Sequence, residues 1–363
     1  MRILFIIYIC SICTLMTACQ PFLSPFEKRQ KTAEPLVMDN KVVDPNWREL
    51  SIATLDSELF FSVPAFFSEV NGSYQFDPIH KTLNMVIDNN HYYMIFGVPV
   101  LRVNGMLLPD DSYEFKIIDN EPWLPIDFLT KALGLTANVK QGVVEFYWEP
   151  STVFEEDSSE SVAVLGNIDQ IILLMKELHN PIKGAMVDTI SSHLPGARRA
   201  YRNGFHEGMD WYGFSSGVPM NRQTAVYAMG NGFVVRADHD YFKYSSVEER
   251  NKDLKIAAEE ESTPEYILDR LRGRQVWVQY ENGLQARFSH LDRIAEEITV
   301  GDRVTPDMLI GYVGNTGTSG EVKNNDTELH LHLDLLYKGD LFWKGLTEEQ
   351  IVLALKSAFA EQI

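Results

Sequence analysis

Apolar positions fall into distinct regimes along this chain. Ile3 to Met16 is an almost unbroken apolar run behind Arg2. It is shorter than the roughly 20 residues that span a bilayer comfortably, and it predicts a leader, not a folded element. Residues 20 to about 50 are polar and spotted with Pro21, Pro25, Pro35 and Pro45, as expected of a tether. Between 51 and 149 one pattern occurs twice. Phe60 to Phe67, with Pro64 inside it, precedes Asn71-Gly72 and the alternating run Leu83 to Ile87; Trp123 to Leu129, with Pro125, precedes Leu133-Gly134 and Val143 to Trp148. Each copy predicts a strand, a short helix opened by Pro and closed by Gly, and a strand pair.

The acidic, Ser-rich stretch Glu155 to Ser161 predicts a boundary. Beyond it Ile168, Ile171, Ile172, Met175 and Leu178 recur at helical spacing and predict a packing face. From about 195 the text becomes strand-like: Ala225 to Met229, Gly232 to Arg236, Gln275 to Tyr280, Leu284 to Phe288, Leu309 to Val313 and Leu329 to Tyr337. Asn231-Gly232 and Asn282-Gly283 predict hairpin turns. A helical intrusion at about 241–272 interrupts this series, with Thr263-Pro264-Glu265 as a helix start, and predicts a lid or wall beside the sheet.

Charge narrows the function. Lys and Arg number 32 against 51 Asp and Glu, a net charge of −19, which removes the positive footprint that nucleic acid requires. All three cysteines, Cys10, Cys13 and Cys19, lie in the leader region, so an intramolecular disulfide in the folded body is excluded.

Chemistry concentrates in three places. Glu328 to Leu335 reads Glu-Leu-His-Leu-His-Leu-Asp-Leu. On a strand, alternation puts Leu329, Leu331, Leu333 and Leu335 on one face and Glu328, His330, His332 and Asp334 on the other. Two imidazoles side by side suit a shared metal and its water; a solvated outer face explains them equally. Glu328 and Asp334 suit either account, or a role orienting an imidazole. His206 and Asp210 form an H-x-x-x-D around Gly208, a donor pair suited to zinc. This is not H-E-x-x-H, so Glu207 takes no general-base role from that motif. His290 ends a strand in Phe288-Ser289-His290-Leu291. His80, His91, His179, His193 and His239 lack partners at useful spacing and read as surface or satisfied structural residues. Gly314 to Gly320 reads as a turn, since no Gly-Lys-Ser/Thr follows. Tyr201 and Trp211 are the aromatics expected near a substrate.

Taken in order, His206-x-Gly208-x-Asp210, Ser289-His290-Leu291 and His330-Leu331-His332-Leu333 resemble the motifs of the lysostaphin-like (LytM-type) zinc endopeptidases, as do the hairpin texts Val300 to Val304 and Ile310 to Gly317. The likeness covers about 195–340. It implies one zinc ion per chain held by His206, Asp210 and His332, with His290 and His330 as catalytic residues beside the water and scissile carbonyl. It also implies a peptidoglycan peptide as substrate. The chain departs from the family at the 241–272 intrusion, in the lengthened loop Gly320 to Thr327, and at Ser289, where Ala is common. Leu15 to Cys19 resembles a bacterial lipobox, which implies cleavage before a lipidated Cys19; an uncleaved anchor helix is the other reading. Residues 51–149 resemble the copper amine oxidase N-terminal-like repeat, here without copper-ligand spacing, hence a spacer or binding module.

The expected protein is therefore multidomain: a signal peptide at 1–18, a tether at 19–50, a small α+β repeat domain at 51–149, a linker and helix at 150–194, a mainly antiparallel β-sheet peptidase domain with a helical insertion at 195–345, and a C-terminal helix at 346–363. It would work outside the cytoplasm, anchored to the membrane through lipidated Cys19, with no nucleic-acid partner. The alternative function is a non-catalytic zinc-binding scaffold or an activator of other cell-wall hydrolases.

Overall fold

The computed structural model describes residues 44–149 and 164–359. The leader with Cys19, the tether up to residue 43, the acidic linker and the last four residues lie outside them. Among the described residues no helix is long and apolar enough to cross a membrane.

In the N-terminal region, strand Glu58–Ser62 leads into helix Val63–Glu69. The Ser62 hydroxyl accepts from the Ala65 amide and Pro64 sits in the first turn, where a missing N–H costs nothing. Strands Gly72–Asp77 and Thr82–Ile87 follow as an antiparallel pair. The second copy runs from Glu121–Pro125 through a single π-helical turn, Phe128–Ala132, to the pair Ala137–Lys140 and Val143–Tyr147. The two leading strands lie side by side, Phe60 opposite Pro125, but their strand pairs diverge into a five-stranded and a six-stranded sheet. Phe61, Phe66, Phe115, Phe128 and Phe146 fill the space between. Among the described residues the first strand begins at Trp47, inside the stretch expected to be tether. Strand Trp47–Leu55 pairs with Val143–Tyr147 and buries Leu50, a pairing of distant segments that local composition cannot report.

The second region is built on a seven-stranded antiparallel sheet. Strand His330–Tyr337 lies between Met209–Tyr212 and Leu284–Ser289. Val276–Tyr280, Gly232–Ala237 and Arg303–Val304 continue outward. Asn282-Gly283 makes the expected hairpin, with Gly283 at φ 86°. Asn231-Gly232 does not. Ala225–Tyr227 pairs instead with Leu309–Tyr312 in a separate small sheet. Gly232 serves close approach, because a Cβ there would fall 2.5 Å from the Gln279 carbonyl oxygen. Helix Ile168–Met175, capped by Asn167, and helix Glu348–Ala358, opened by a Thr347/Gln350 capping box, close the apolar face of the sheet.

Helices Val247–Glu259 and Glu265–Leu271 form within the 241–272 stretch. The second starts on Pro264 without a side-chain cap. Thr263, read from sequence as part of that start, turns its hydroxyl to the Arg202 carbonyl at 2.7 Å.

The two regions meet over the face of the sheet opposite its apolar core, the face that also carries His332 and Asp334. The buried Gln279 side chain accepts from the Leu107 amide at 2.9 Å, and Gln285 donates to the Gly105 carbonyl at 2.6 Å. Ile95, Val98, Val100 and Leu107 pack there against Val235 and Trp277.

Candidate metal centre

The centre is assembled by two neighbouring strands. In Met209–Tyr212, alternation turns Met209 and Trp211 into the apolar core and Asp210 and Tyr212 to the opposite side. In His330–Tyr337, Leu331, Leu333 and Leu335 join that core while His330, His332 and Asp334 face the other way. Asp210 stands directly opposite His332 in the register. Both faces of the central strand are buried, so the solvated-face account of the paired histidines fails. Glu328 and Leu329 precede the strand. Glu328 is exposed at φ 61°, with its carboxylate on Ser319 and the Gly320 amide.

His206 enters from the turn before Met209–Tyr212. Gly208 makes that entry possible, because a Cβ there would fall 2.0 Å from the Leu333 carbonyl oxygen. The turn can therefore press against the central strand only if residue 208 lacks a side chain.

Outer contacts fix the state of each imidazole. His206 Nδ1 lies 3.0 Å from the Leu194 carbonyl, and His332 Nε2 lies 2.6 Å from Asp334, whose other oxygen accepts from Arg272. A carbonyl or an ion-paired carboxylate can only accept, so these ring nitrogens carry the hydrogens. The inward nitrogens are then lone pairs. His206 Nε2, His332 Nδ1 and Asp210 Oδ1 converge at 2.9–3.0 Å from one another, all buried. Three converging lone pairs repel unless a cation sits among them. Without a metal that cation is a proton. Burial alone would lower His332, but Asp334 and Asp210 outweigh it and lift the imidazole to about 9. Burial raises Asp210, yet His206 and His330 hold it well below the carboxylate range. Burial also pushes His206 down.

The donor set fits a divalent ion of nitrogen and oxygen preference. A tetrahedron with bonds of about 2.0–2.2 Å has edges of about 3.3–3.6 Å, a few tenths wider than the separations here.

Two further histidines stand beside this cluster. His290 holds a left-handed backbone, φ 60°, and its Nδ1 lies 2.7 Å from the Thr316 carbonyl. The loop bearing Thr316 is held by contacts that require Gly273 and Gly317, where a Cβ would meet backbone at 2.3 and 2.5 Å. His330 Nδ1 lies 2.8 Å from the Glu328 carbonyl. Each ring thus turns Nε2 inward, His330 Nε2 reaching within 3.5 Å of Asp210. Burial, reinforced by His330 and His332, pushes His290 well below its usual value, so it stays neutral.

The cluster opens onto a cleft of about 370 Å³ walled partly by Leu268 and Leu271 of the second helix in the 241–272 stretch. That helix forms a wall. Tyr201 lines the cleft, but Trp211 is fully buried and unavailable to a substrate. Tyr212 takes its place, stacked on His330 with centroids 4.4 Å apart; the alternation that pairs His330 with His332 points equally to Tyr212 beside Asp210. His193 also lines the cleft, 2.5 Å from buried Asp188 and packed on Tyr212. Glu207 is occupied by Arg202, in keeping with its exclusion as a base. Of the remaining histidines, His239 bonds the Ile298 carbonyl, while His80 and His91 lie outside the cluster.

Two distant stretches of the chain thus deliver two nitrogens and a carboxylate to one point. Residues 204–342 match the model for Peptidase family M23. The matched segment contains His206, Asp210, His290, His330 and His332, and the match supports a peptidase at the general level. None of the curated proteins matches the chain. Among solved structures, the chain is similar to the catalytic domain of the antimicrobial peptidase lysostaphin from Staphylococcus simulans, at 21% identity over 37% of this chain and 68% of that one, TM-score 0.23. It is similar to the prophage-encoded M23 protein EnpA from Enterococcus faecalis, at 18% identity over 38% and 74%, TM-score 0.23. A putative peptidase M23 from Pseudomonas aeruginosa gives 16% identity over 67% and 84%, TM-score 0.27.

Proposed function

We propose that this protein is a zinc-dependent endopeptidase that cuts peptide bonds in bacterial cell-wall peptidoglycan. The observation that carries the reading is the convergence of His206 Nε2, Asp210 Oδ1 and His332 Nδ1, with the anchored imidazoles of His290 and His330 beside them. His206, Asp210 and His332 would hold the ion. Zinc, when bound, supplies a Lewis acid for the scissile carbonyl and a water activated near neutral pH. His290 and His330, each anchored through Nδ1 to a backbone carbonyl, offer Nε2 to accept a proton and return it to the leaving amine. Asp334 keeps His332 turned inward, and Arg272 keeps Asp334 ionised. Tyr212 fixes the plane of the His330 ring.

In this reading the chain is a lipoprotein held outside the cytoplasm by Cys19, and residues 51–149 belong to a copper amine oxidase N-terminal-like spacer or binding module. The test is mass spectrometry of wall fragments after incubation with zinc-loaded protein. New amino and carboxyl termini in the peptides are expected. Wild type that keeps zinc but releases nothing would leave the scaffold alternative instead. His290→Ala should retain zinc and lose about 10²–10⁴-fold in cleavage; normal cleavage by this variant would remove the proton-handling role.

A further inference from the structure

The cleft departs from the rest of the molecule in charge. The chain carries 51 acidic against 32 basic residues, yet five arginines and only three carboxylates line the cleft. Most of these charges are committed. Arg202 clamps Glu207 through both guanidinium ends, Arg272 serves Asp334, and Arg250 donates to the Gly317 carbonyl. Glu328 is held by Ser319 and the Gly320 amide.

Arg199 is different. It sits on the short strand Arg198–Arg199, which Gly204–Phe205 fixes just before His206. Its side chain is only 15% exposed, and among the described residues its one ionic contact is Nη2 to Asp210 Oδ2 at 3.5 Å, too long for a good hydrogen bond. A guanidinium carries five donors in a fixed fork, and a largely buried one with none of them bonded among the described residues is costly. Asp210 directs its other oxygen to the histidine cluster, so a metal there would weaken its hold on Arg199 further. Arg198, exposed beside it, adds a second uncommitted cation at the mouth of the cleft.

We infer that Arg199 is a specificity-determining residue that binds a free carboxylate of the substrate peptide close to the scissile bond, so that the favoured substrates are acidic peptides. The planar fork matches a carboxylate in bidentate geometry. This inference rests on the peptidase reading, and the experiment separates the two.

Two fluorescently labelled peptides of one sequence, differing only in Glu against Gln at a single position next to the cleaved bond, are compared for cleavage and, by anisotropy, for binding to the zinc-loaded full chain. Wild type should favour the Glu peptide by about tenfold or more, the size of a charge-assisted hydrogen bond, and the preference should shrink as salt screens it. Arg199→Gln should erase the preference while zinc content stays unchanged, and Arg199→Lys should restore part of it. Equal use of both peptides by wild type would overturn the inference while leaving the peptidase reading standing. So would a loss in Arg199→Gln that falls equally on both, since that would mark Arg199 as a residue that merely positions Asp210. Arg199-dependent binding of the Glu peptide without any cleavage would sink the peptidase reading and support the carboxylate site.

Discussion

The two regions solve the same packing problem with different materials. The N-terminal region closes around Phe61, Phe66, Phe115, Phe128 and Phe146, and Thr82 is its one fully buried polar side chain among the described residues. Every buried charged or imidazole side chain among the described residues lies beyond it, from Asp188 onward, and most sit on the seven-stranded sheet or on the turn and helix packed against it: Arg236, Asp269, Arg272, Arg287, Asp334 and the histidines. Burying charge is expensive unless it is paired, so a sheet that needed only stability would resemble the aromatic one. The difference marks where function is kept. It also shows why the sheet can tolerate the charges: Arg236 with Asp269 and Arg272 with Asp334 are paired at hydrogen-bond distance, and Arg287, with its Nε unpartnered, lies 4.0 Å over the Trp277 ring.

The strongest way to break this contrast is to remove one of the proposed metal ligands. His332→Ala and Asp210→Ala should each lose zinc on dialysis, measured as metal per chain, and cleavage should fall by about a thousandfold or more, the several kcal/mol a Lewis acid contributes. The N-terminal core should be untouched, with its hydrogen exchange unchanged. Full zinc occupancy in either variant would show that the converging lone pairs are not the site.

The converse experiment empties the aromatic core. Phe146→Ala removes a fully buried ring that packs on Phe66, and about 3–5 kcal/mol of local stability should go with it. Zinc affinity should hold. A parallel fall in zinc affinity would mean that docking through Gln279 and Gln285 couples the two regions more tightly than their separate cores imply.

A finer cut is Asp334→Asn. The amide can still accept from His332, but it turns a donor toward Arg272 and removes the charge that orients the imidazole. Zinc affinity should drop by about 10- to 100-fold, measured by chelator competition, with one zinc still bound at saturation. Unchanged affinity would reduce Asp334 to a partner for Arg272 alone.

Much of this was legible in the chain because the decisive signals are local. Period-two alternation placed His330, His332 and Asp334 on one face, and His206 and Asp210 stood out around Gly208 as a donor pair. What the sequence hid depends on pairing between distant segments. Trp211 looked accessible beside Asp210, but the same alternation buries it and exposes Tyr212. Asn231-Gly232 has the text of a hairpin, yet its flanking strands belong to different sheets. Trp47 looked like tether because its partner, Tyr147, lies a hundred residues away. The uncommitted state of Arg199 is invisible until Arg202, Arg250 and Arg272 are seen to be occupied. The leader and lipobox readings concern residues outside those described.

Acid separates the two regions most gently. In metal-free protein the buried Asp269 is raised by burial, but Arg236 outweighs this and leaves its carboxyl below the usual value. A carboxylate depressed in the folded state contributes stability above its unfolded pKa of 3.8 and loses it as pH falls through the lower folded value. Asp210 and Asp334 are shifted in the same direction, whereas the N-terminal core has no buried carboxylate among the described residues. As pH falls below about 4, amides of Val276–Tyr280 and Leu284–Ser289 should therefore lose exchange protection before those of Trp47–Leu55 and Val143–Tyr147. Asp269→Asn should narrow that gap, because an amide has no proton to gain. If both regions lost protection at one pH and the variant changed nothing, the buried pairs would contribute no acid sensitivity, and the cost of holding charge in the sheet would have to be met by packing alone.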